Sequence, residues 1–530
     1  MKFNLFLICI FAECLGTFVT AQTNETIPSY HWAYPYINEL RLNGYLPALH
    51  TIRQPYTAAE VENSLSMLQR QLERGEVKAS AHDRWLIDLL SSEFLHREQL
   101  SDQEKQLTIS PGVWLEESMI HDSQDARCYT QMRSQVGVHW KDRLSFYNGI
   151  RLDQLLLDDP LYPGKRWRGF AGYTEQAYVR FSIYDLRSTN LNVGLTLGRD
   201  FLHWGSGRTG RLLFSDYAQP LDQLKLDFAY KGLRFYVLAA QLEKWQLADS
   251  LVKKYGTRRA NRFLSAHGVT FAIKDKLFIG LTEALVYGGP DAHWELKYHN
   301  PMLYYHGELL NGGGSDGNGL LYLDVDWYPW RNWRFYGEVL VDDYQLEKTV
   351  PGDLEPTEWG LILGWQRSSI LGLSGSQLGL EYVRIANRTY NSWQDWEKFV
   401  HFNRPIGYAL GNNFDRWNLS VSHWLWRGVQ IGLEWDFIRQ GQGSVLDRWD
   451  TPWKNFTLAQ GYDEPFPYGI VESSSNLSMK LRYHFLTQGL MECLASYQQV
   501  DNFGHRRGQE RHGWTVVLRA QLDVAGHWKY

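Results

Sequence analysis

From about residue 111 to the C-terminus, apolar side chains recur at every second position, yet no apolar run of 18 residues follows residue 21. These two features together constrain the fold more than any others. In Trp417–Phe437, the side chains of Val429, Ile431, Leu433, Trp435 and Phe437 share one face of an extended chain, and Gly428, Gln430, Gly432, Glu434 and Asp436 share the other. That is the strand period. Before it, Trp417, Leu419 and Val421 alternate with Asn418, Ser420 and Ser422, and the short join near Leu425–Arg427 makes the pair a β-hairpin. The same rhythm returns at Leu191–Leu197, Trp333–Val341, Trp359–Trp365, Leu477–Phe485 and Trp514–Leu522. A chain without long apolar helices can cross a bilayer only as a closed barrel, because lipid offers no partner to open backbone groups.

The connections carry the second half of the argument. Short ones fall near 141–142, 185–189, 232, 274–276, 329–331, 368–376, 425–427 and 486–488. Between them lie mostly long ones, near 155–172, 201–222, 244–265, 288–318, 344–356, 388–413, 440–474 and 500–512. A soluble β-sandwich has no reason to keep its long loops at one end, whereas an outer-membrane barrel does. The expected fold is an all-β transmembrane barrel of about eighteen antiparallel strands, residues 111–530, with a small N-terminal α-helical bundle. An even count places both termini in the periplasm. Mean hydropathy of −0.41 agrees with this, since only alternate residues face lipid. The 23 Trp and 31 Tyr suit membrane–water interfaces and sugar faces alike. A net charge of −5 carries no nucleic-acid signature.

Residues 1–21 read as a cleaved secretory signal: Lys2, an apolar Phe3–Val19 broken by Glu13, then Val19-Thr20-Ala21. Cys9 and Cys14 leave with it, and Phe-Ala-Glu before Cys14 is a poor lipidation site. Export permits a Cys128–Cys493 disulfide, with two separate thiols the simpler reading. Residues 22–110 form the helical bundle, a periplasmic plug. Tyr36, Ile37 and Leu40 precede a stop at Gly44, Thr57 and Glu60 form a capping box, and Val61, Leu65, Leu68 and Leu72 make one stripe. Ser80–Asp83 opens a third helix carrying Trp85, Leu86, Leu89, Leu90 and Phe94. Three short helices bury little alone, so the unit needs a surface to dock on.

Gly205-Ser-Gly-Arg-Thr-Gly210 has dinucleotide-loop spacing but lacks the following helix and acidic residue, and reads as a glycine-rich loop. Glu338, Asp342, Asp343, Glu381, Glu434 and Asp436 recur at alternate strand positions with Arg334, Arg384, Lys480, Arg482 and Arg519, the pattern of a charged lumen wall. No H-E-x-x-H occurs, and His299, His306 and His401 are scattered, so neither catalysis, a metal nor a cofactor is expected. The basic, aromatic loops are the candidate polysaccharide-binding surface: Arg166, Trp167 and Arg168; Lys253, Lys254, Arg258, Arg259 and Arg262; Arg506 and Arg507; with Trp294, Trp393 and Trp396, and Trp204 and Arg208 of the glycine-rich loop. Arg and Lys suit carboxylates and phosphates, and Trp offers flat faces to sugar rings. A solvated loop set facing lipopolysaccharide accounts for the same residues.

At Gly198-Arg-Asp-Phe-Leu-His-Trp-Gly-Ser-Gly207 and Leu212-Leu-Phe-Ser-Asp-Tyr-Ala-Gln-Pro220 the chain resembles the Wzi-type capsule assembly proteins. The resemblance continues through Arg258–His267, Ile279–Glu283, Tyr287-Gly-Gly289, Asn300-Pro301, Tyr304-Tyr-His306, Tyr336-Gly-Glu338, Asp342-Asp343, Glu381-Tyr382, Tyr390, His401, Pro405-Ile-Gly407 and Leu410-Gly411. It implies an eighteen-stranded outer-membrane barrel with a helical bundle at its periplasmic mouth. It also implies a lectin-like, non-enzymatic role, holding capsular polysaccharide or exopolysaccharide at the cell surface. The expected partners are that polymer and outer-membrane lipid, for a chain acting as a monomer. A transport channel for a small solute or oligosaccharide is the alternative reading, and an outer-membrane enzyme acting on glycan or lipid is a further rival.

Overall fold

The structure is a computed structural model that describes residues 24–95, 107–122, 125–140, 143–186, 191–310, 317–345, 349–486, 488–526 and 528–529. The signal read at 1–21 lies outside the described residues. Eighteen long strands form one antiparallel sheet: β1 (Leu107–His121), β2 (Ala126–Trp140), β3 (Leu144–Asp153), β4 (Ala171–Leu186), β5 (Leu191–Asp200), β6 (Leu221–Tyr230), β7 (Leu233–Gln241), β8 (Arg259–Ile273), β9 (Leu277–Gly289), β10 (Gly317–Trp327), β11 (Trp333–Asp343), β12 (Glu358–Ser368), β13 (Ser376–Ile385), β14 (Phe414–Trp426), β15 (Val429–Gln440), β16 (Glu472–Leu486), β17 (Gly489–Asp501) and β18 (Glu510–Ala525). Each pairs with its sequence neighbours, and β18 returns to β1 through Gly112↔Ala525 to His121↔Val516, which closes the barrel and leaves no open edge.

Register explains the two faces. The row Leu419↔Trp435↔Leu477↔Tyr497↔Trp514 runs across β14–β18 on the lipid side. The adjacent row Ser420↔Glu434↔Ser478↔Ser496 faces the lumen. Aromatic residues gather near both rims of the outer face: Tyr382 against Trp417 (ring centroids 4.6 Å apart) and Tyr497 against Trp514 (5.1 Å) toward the long-loop end, Trp333 against Trp365 (5.7 Å) toward the short-turn end. Cys128 and Cys493 are separate free thiols, and their register with Met119, Leu481 and Leu518 puts both on the outer face. Arg384 departs from the expected lumen wall. Its strand turns Glu381, Val383 and Ile385 inward, so Arg384 points outward and lies 3.8 Å from the ring centre of Phe466.

The helices form as their caps require. They are α1 (Ala33–Leu42), α2 (Ala58–Glu73) and α3 (Ala81–Phe94). Thr57 and Glu60 complete a reciprocal capping box on α2, as Ser80 and Asp83 do on α3. Gly44 and Gly75 follow α1 and α2 in the left-handed region (φ +82° and +70°), where a side chain would be strained. Ile37, Leu40, Val61, Leu65, Leu86 and Leu90 share one apolar cluster with Trp424 of the barrel.

The helices dock on the short-turn end. Arg41 donates to the Asp275 carbonyl (2.9 Å), Arg331 to the Asn43 carbonyl (3.0 Å), Trp424 to Glu39 (3.1 Å), and Ser80 bonds Ser374 (2.8 Å). Beyond α1 the chain dips into the lumen, where Arg53–Gln54 pairs as a short antiparallel ribbon with His203–Trp204 of the loop after β5. Arg53 is buried there against Asp324 (3.2 Å) and Tyr236 (2.8 Å).

Candidate functional site

The glycine-rich loop 201–220 does not rise from the barrel; it folds down into it. Two luminal carboxylates hold it by its backbone. Glu338 accepts from Gly207 N (2.6 Å) and Leu212 N (2.8 Å). Glu381 accepts from Arg208 N (2.5 Å), Thr209 N (2.9 Å), the Thr209 hydroxyl and the Tyr336 hydroxyl (2.8 Å). A buried carboxylate is tolerated when donors of this kind surround it. Loop 386–413 stacks on this plug: the Tyr390 hydroxyl donates to Leu212 O, and Ser215 N donates to Ile406 O (2.9 Å). Leu212, Phe214, Tyr390, Phe399 and Tyr408 then pack with Leu238, Leu264, Val286, Leu320 and Ile362 of the wall. The stretches that carried the family resemblance are in large part this locking set: loop 198–220 and its partners Glu338, Glu381 and Tyr390.

Three of the candidate binding residues belong to that packing. Arg262 is 1% exposed and donates to the carbonyls of Trp396 (2.7 Å), Lys398 (2.6 Å) and Val400 (3.0 Å), clamping loop 386–413 onto β8. Trp204 is buried edge-on against Phe214 (5.0 Å) and Tyr236 (4.3 Å). Trp396 is buried beneath Tyr255 (6.5 Å). Glu243 joins Arg262 (2.9 Å) to His401 (2.8 Å). Burial works to raise its carboxyl, but His401 and Arg262 together hold it below the ordinary value.

The remaining loop residues are exposed. Lys253 and Lys254 sit on a one-to-two-turn helix, Asp249–Tyr255, and Arg258 and Arg259 enter β8 beside it. Tyr255 and Trp396 join this loop to loop 386–413, which carries Trp393, 67% exposed, with Lys454 of loop 441–471 lying 5.6 Å from its ring centre. Loop 154–170, bearing Arg166, Trp167 and Arg168, is tied to the same hub through the Asp159–Arg404 ion pair. Four loops thus present cations and indole rings on one linked platform. Arg506 and Arg507 stand apart on loop 502–509, tethered by Asn502 to the Val471 carbonyl (2.9 Å), and Trp294 lies on loop 290–310, tilted against His299 (4.0 Å). Lys454 and Tyr255 were not among the candidates; an aromatic or a lysine beside Trp449–Trp453 and Lys253–Lys254 was the available signal.

Arg208 points instead into the part of the lumen the loops leave unfilled. A cavity of about 630 Å3 lies between α1 and loop 201–220, lined by Arg208, Arg211, Arg334, Lys480, Arg482 and Arg519 against the carboxylates of Glu39, Asp216 and Glu492. Arg482, Glu492 and Arg519 are consecutive register partners, with Glu492 between Arg482 (3.0 Å) and Arg519 (3.5 Å). Among the described residues, neither Arg208 nor Lys480 has an ion-pair partner. The size falls within the range of small-molecule sites, and the excess of positive charge suits an acidic group.

A closed eighteen-stranded barrel with aromatic rims and loops folded into its lumen is an outer-membrane β-barrel protein. Residues 121–513 match the family described as capsule assembly protein Wzi, and the chain belongs to that family. It is similar to a solved Escherichia coli protein described as Wzi, an outer membrane protein involved in group 1 capsule assembly and a carbohydrate-binding β-barrel. The two share 12% identity and a TM-score of 0.55 over 96% of this chain and 99% of that one, a likeness of fold. Pseudomonas aeruginosa OprD is more distantly similar (10% identity, TM-score 0.43, 79% of this chain and 95% of that one). No curated protein sequence matches.

Proposed function

We propose that this protein holds capsular polysaccharide or exopolysaccharide at the cell surface as a monomeric, non-enzymatic, lectin-like barrel. In this reading the long loops face outward, both termini lie in the periplasm, and the helices of residues 24–95 plug that end; the strand that begins at Leu107 puts residues 107–110 in the barrel and not in the bundle. The observation that carries it is the linked platform of Lys253, Lys254, Arg258, Arg259, Trp393 and Lys454, exposed on loops that buried contacts hold rigid. Each charged or stacking contact contributes about 0.5–3 kcal/mol, and a repeating polymer multiplies them through effective concentration. Arg208, Lys480 and Arg482 form a second basic surface inside the lumen. The packed loops 201–220 and 386–413 weigh against an open transport channel, and membership of a capsule assembly family weighs against an enzyme.

The test is retention. A strain lacking the protein is expected to make and export polymer but shed it into the medium. Complementation with Lys253→Ser, Lys254→Ser, Arg258→Ser and Arg259→Ser together is expected to restore a folded barrel without restoring retention. Capsule retained by the deletion strain defeats the proposal.

A further inference from the structure

Loop 290–310 covers the outside of the barrel. Phe263, Leu285 and Tyr287 project from the opposite face of β8 and β9 to Leu264, Ala284 and Val286, which meet the luminal plug. They pack instead with Tyr298, Tyr305, Leu303 and Leu309 of this loop. Beneath it lie two polar residues of the outer face. Glu283 accepts from Tyr305 N, His306 N and His306 Nδ1 (2.9 Å each), and His267 Nε2 lies 3.6 Å from it.

Their depth is the decisive point. A strand needs about nine to eleven residues to cross the hydrocarbon. Glu283 is the seventh residue of β9 from its short-turn end, and His267 the seventh of β8 from the same end. Both therefore fall within the crossing. Immediately below, Leu281 (54% exposed) and Phe271 (48%) continue the lipid-facing surface. The loop turns an apolar side away from the barrel: Leu296, Met302 and Tyr304 are 77%, 84% and 57% exposed. A bare carboxylate at this depth is costly, and a cover that is polar toward Glu283 and apolar outward removes that cost.

We propose that loop 290–310 lies in the outer leaflet as a membrane-inserted flap, with Leu296, Met302 and Tyr304 among the acyl chains and Glu283 and His267 sealed beneath it. The occupant is lipid and not a second copy of the chain, because the flap surface is continuous with the lipid-facing wall below it. This stands independently of which glycan the outward loops hold.

The experiment uses the full chain with Cys9, Cys14, Cys128 and Cys493 all changed to serine, reconstituted into phosphatidylcholine vesicles containing doxyl-labelled acyl chains. An environment-sensitive fluorophore is placed at Met302→Cys, and separately at Leu296→Cys. Leu433→Cys on the lipid-facing wall and Arg506→Cys on an outward loop serve as references, each checked for the heat-dependent gel shift of a folded barrel. Quenching at 302 and 296 as strong as at 433 is the expected result. Quenching no greater than at 506, or efficient cross-linking of two Met302→Cys chains to each other, overturns the proposal.

Discussion

The two halves of the lumen are built on the same alternation and end up opposite in character. On β7–β13 the inward positions Leu238, Leu264, Val286, Leu320, Leu340, Ile362 and Val383 are buried against loops 201–220 and 386–413. On β15–β18 the equivalent positions are Gln430, Glu434, Ser478, Lys480, Arg482, Glu492 and Arg519, and they border open space. The outer face is mainly apolar in both, with Glu283, His267 and Arg384 each lying against a loop or another outer-face residue. The lesson is that a barrel strand with apolar residues at both parities reports a plugged lumen, and one with a single apolar parity reports a wet one. In the filled half carboxylates such as Glu338 and Glu381 hold the plug; in the wet half Arg482, Glu492 and Arg519 pair with one another beside open space.

Paired charge removals give the sharpest contrast. Arg53→Ala strands Asp324, which is fully buried, and is expected to cost about 3–5 kcal/mol in urea unfolding of the refolded protein. Arg482→Ala breaks a pair in the wet half, where water can replace the lost partner, and is expected to cost no more than about 1 kcal/mol. Equal costs would erase the distinction between the halves.

Glu381→Ala tests the plug itself. The amides of Arg208 and Thr209 and the Tyr336 hydroxyl lose their acceptor, for a loss of about 2 kcal/mol as the loop regains water. The more telling readout is conductance: low and steady for the parent in planar bilayers, higher and fluctuating for Glu381→Ala. Unchanged conductance would mean that loop 201–220 does not close the filled half.

The smallest effect concerns loop 344–357. Burial, reinforced by Asp343, pushes the Glu355 carboxyl from 4.5 up to about 7. The folded loop therefore binds a proton that the unfolded one has lost, so this contribution is complete below about pH 4.5 and fades as pH rises through about 7. Proteolytic nicking of the loop is expected to increase over that interval, and Glu355→Gln is expected to flatten the dependence.

Much of this architecture was legible residue by residue. Period 2 marked the strands, the eight short turns marked one end, and Thr57–Glu60 and Ser80–Asp83 marked two helix starts. The binding residues were less so, because composition does not tell which loop turns inward. Arg262 reads like Arg258 and Arg259, yet its guanidinium finds carbonyls 134 to 138 residues away. Trp204 and Arg208 sit in a loop whose anchors, Glu338 and Glu381, lie 131 and 173 residues on. Arg384 missed the lumen by one position of parity.

The local rules therefore set what each residue's neighbours could decide: strand or helix, and lipid face or lumen face, because steric and hydrophobic periodicity act over a few residues. Closure of the ring decided the rest. Across the closed ring, distant carboxylates converge on loop 201–220, which fills one half of the barrel and leaves the other half's cations beside open space.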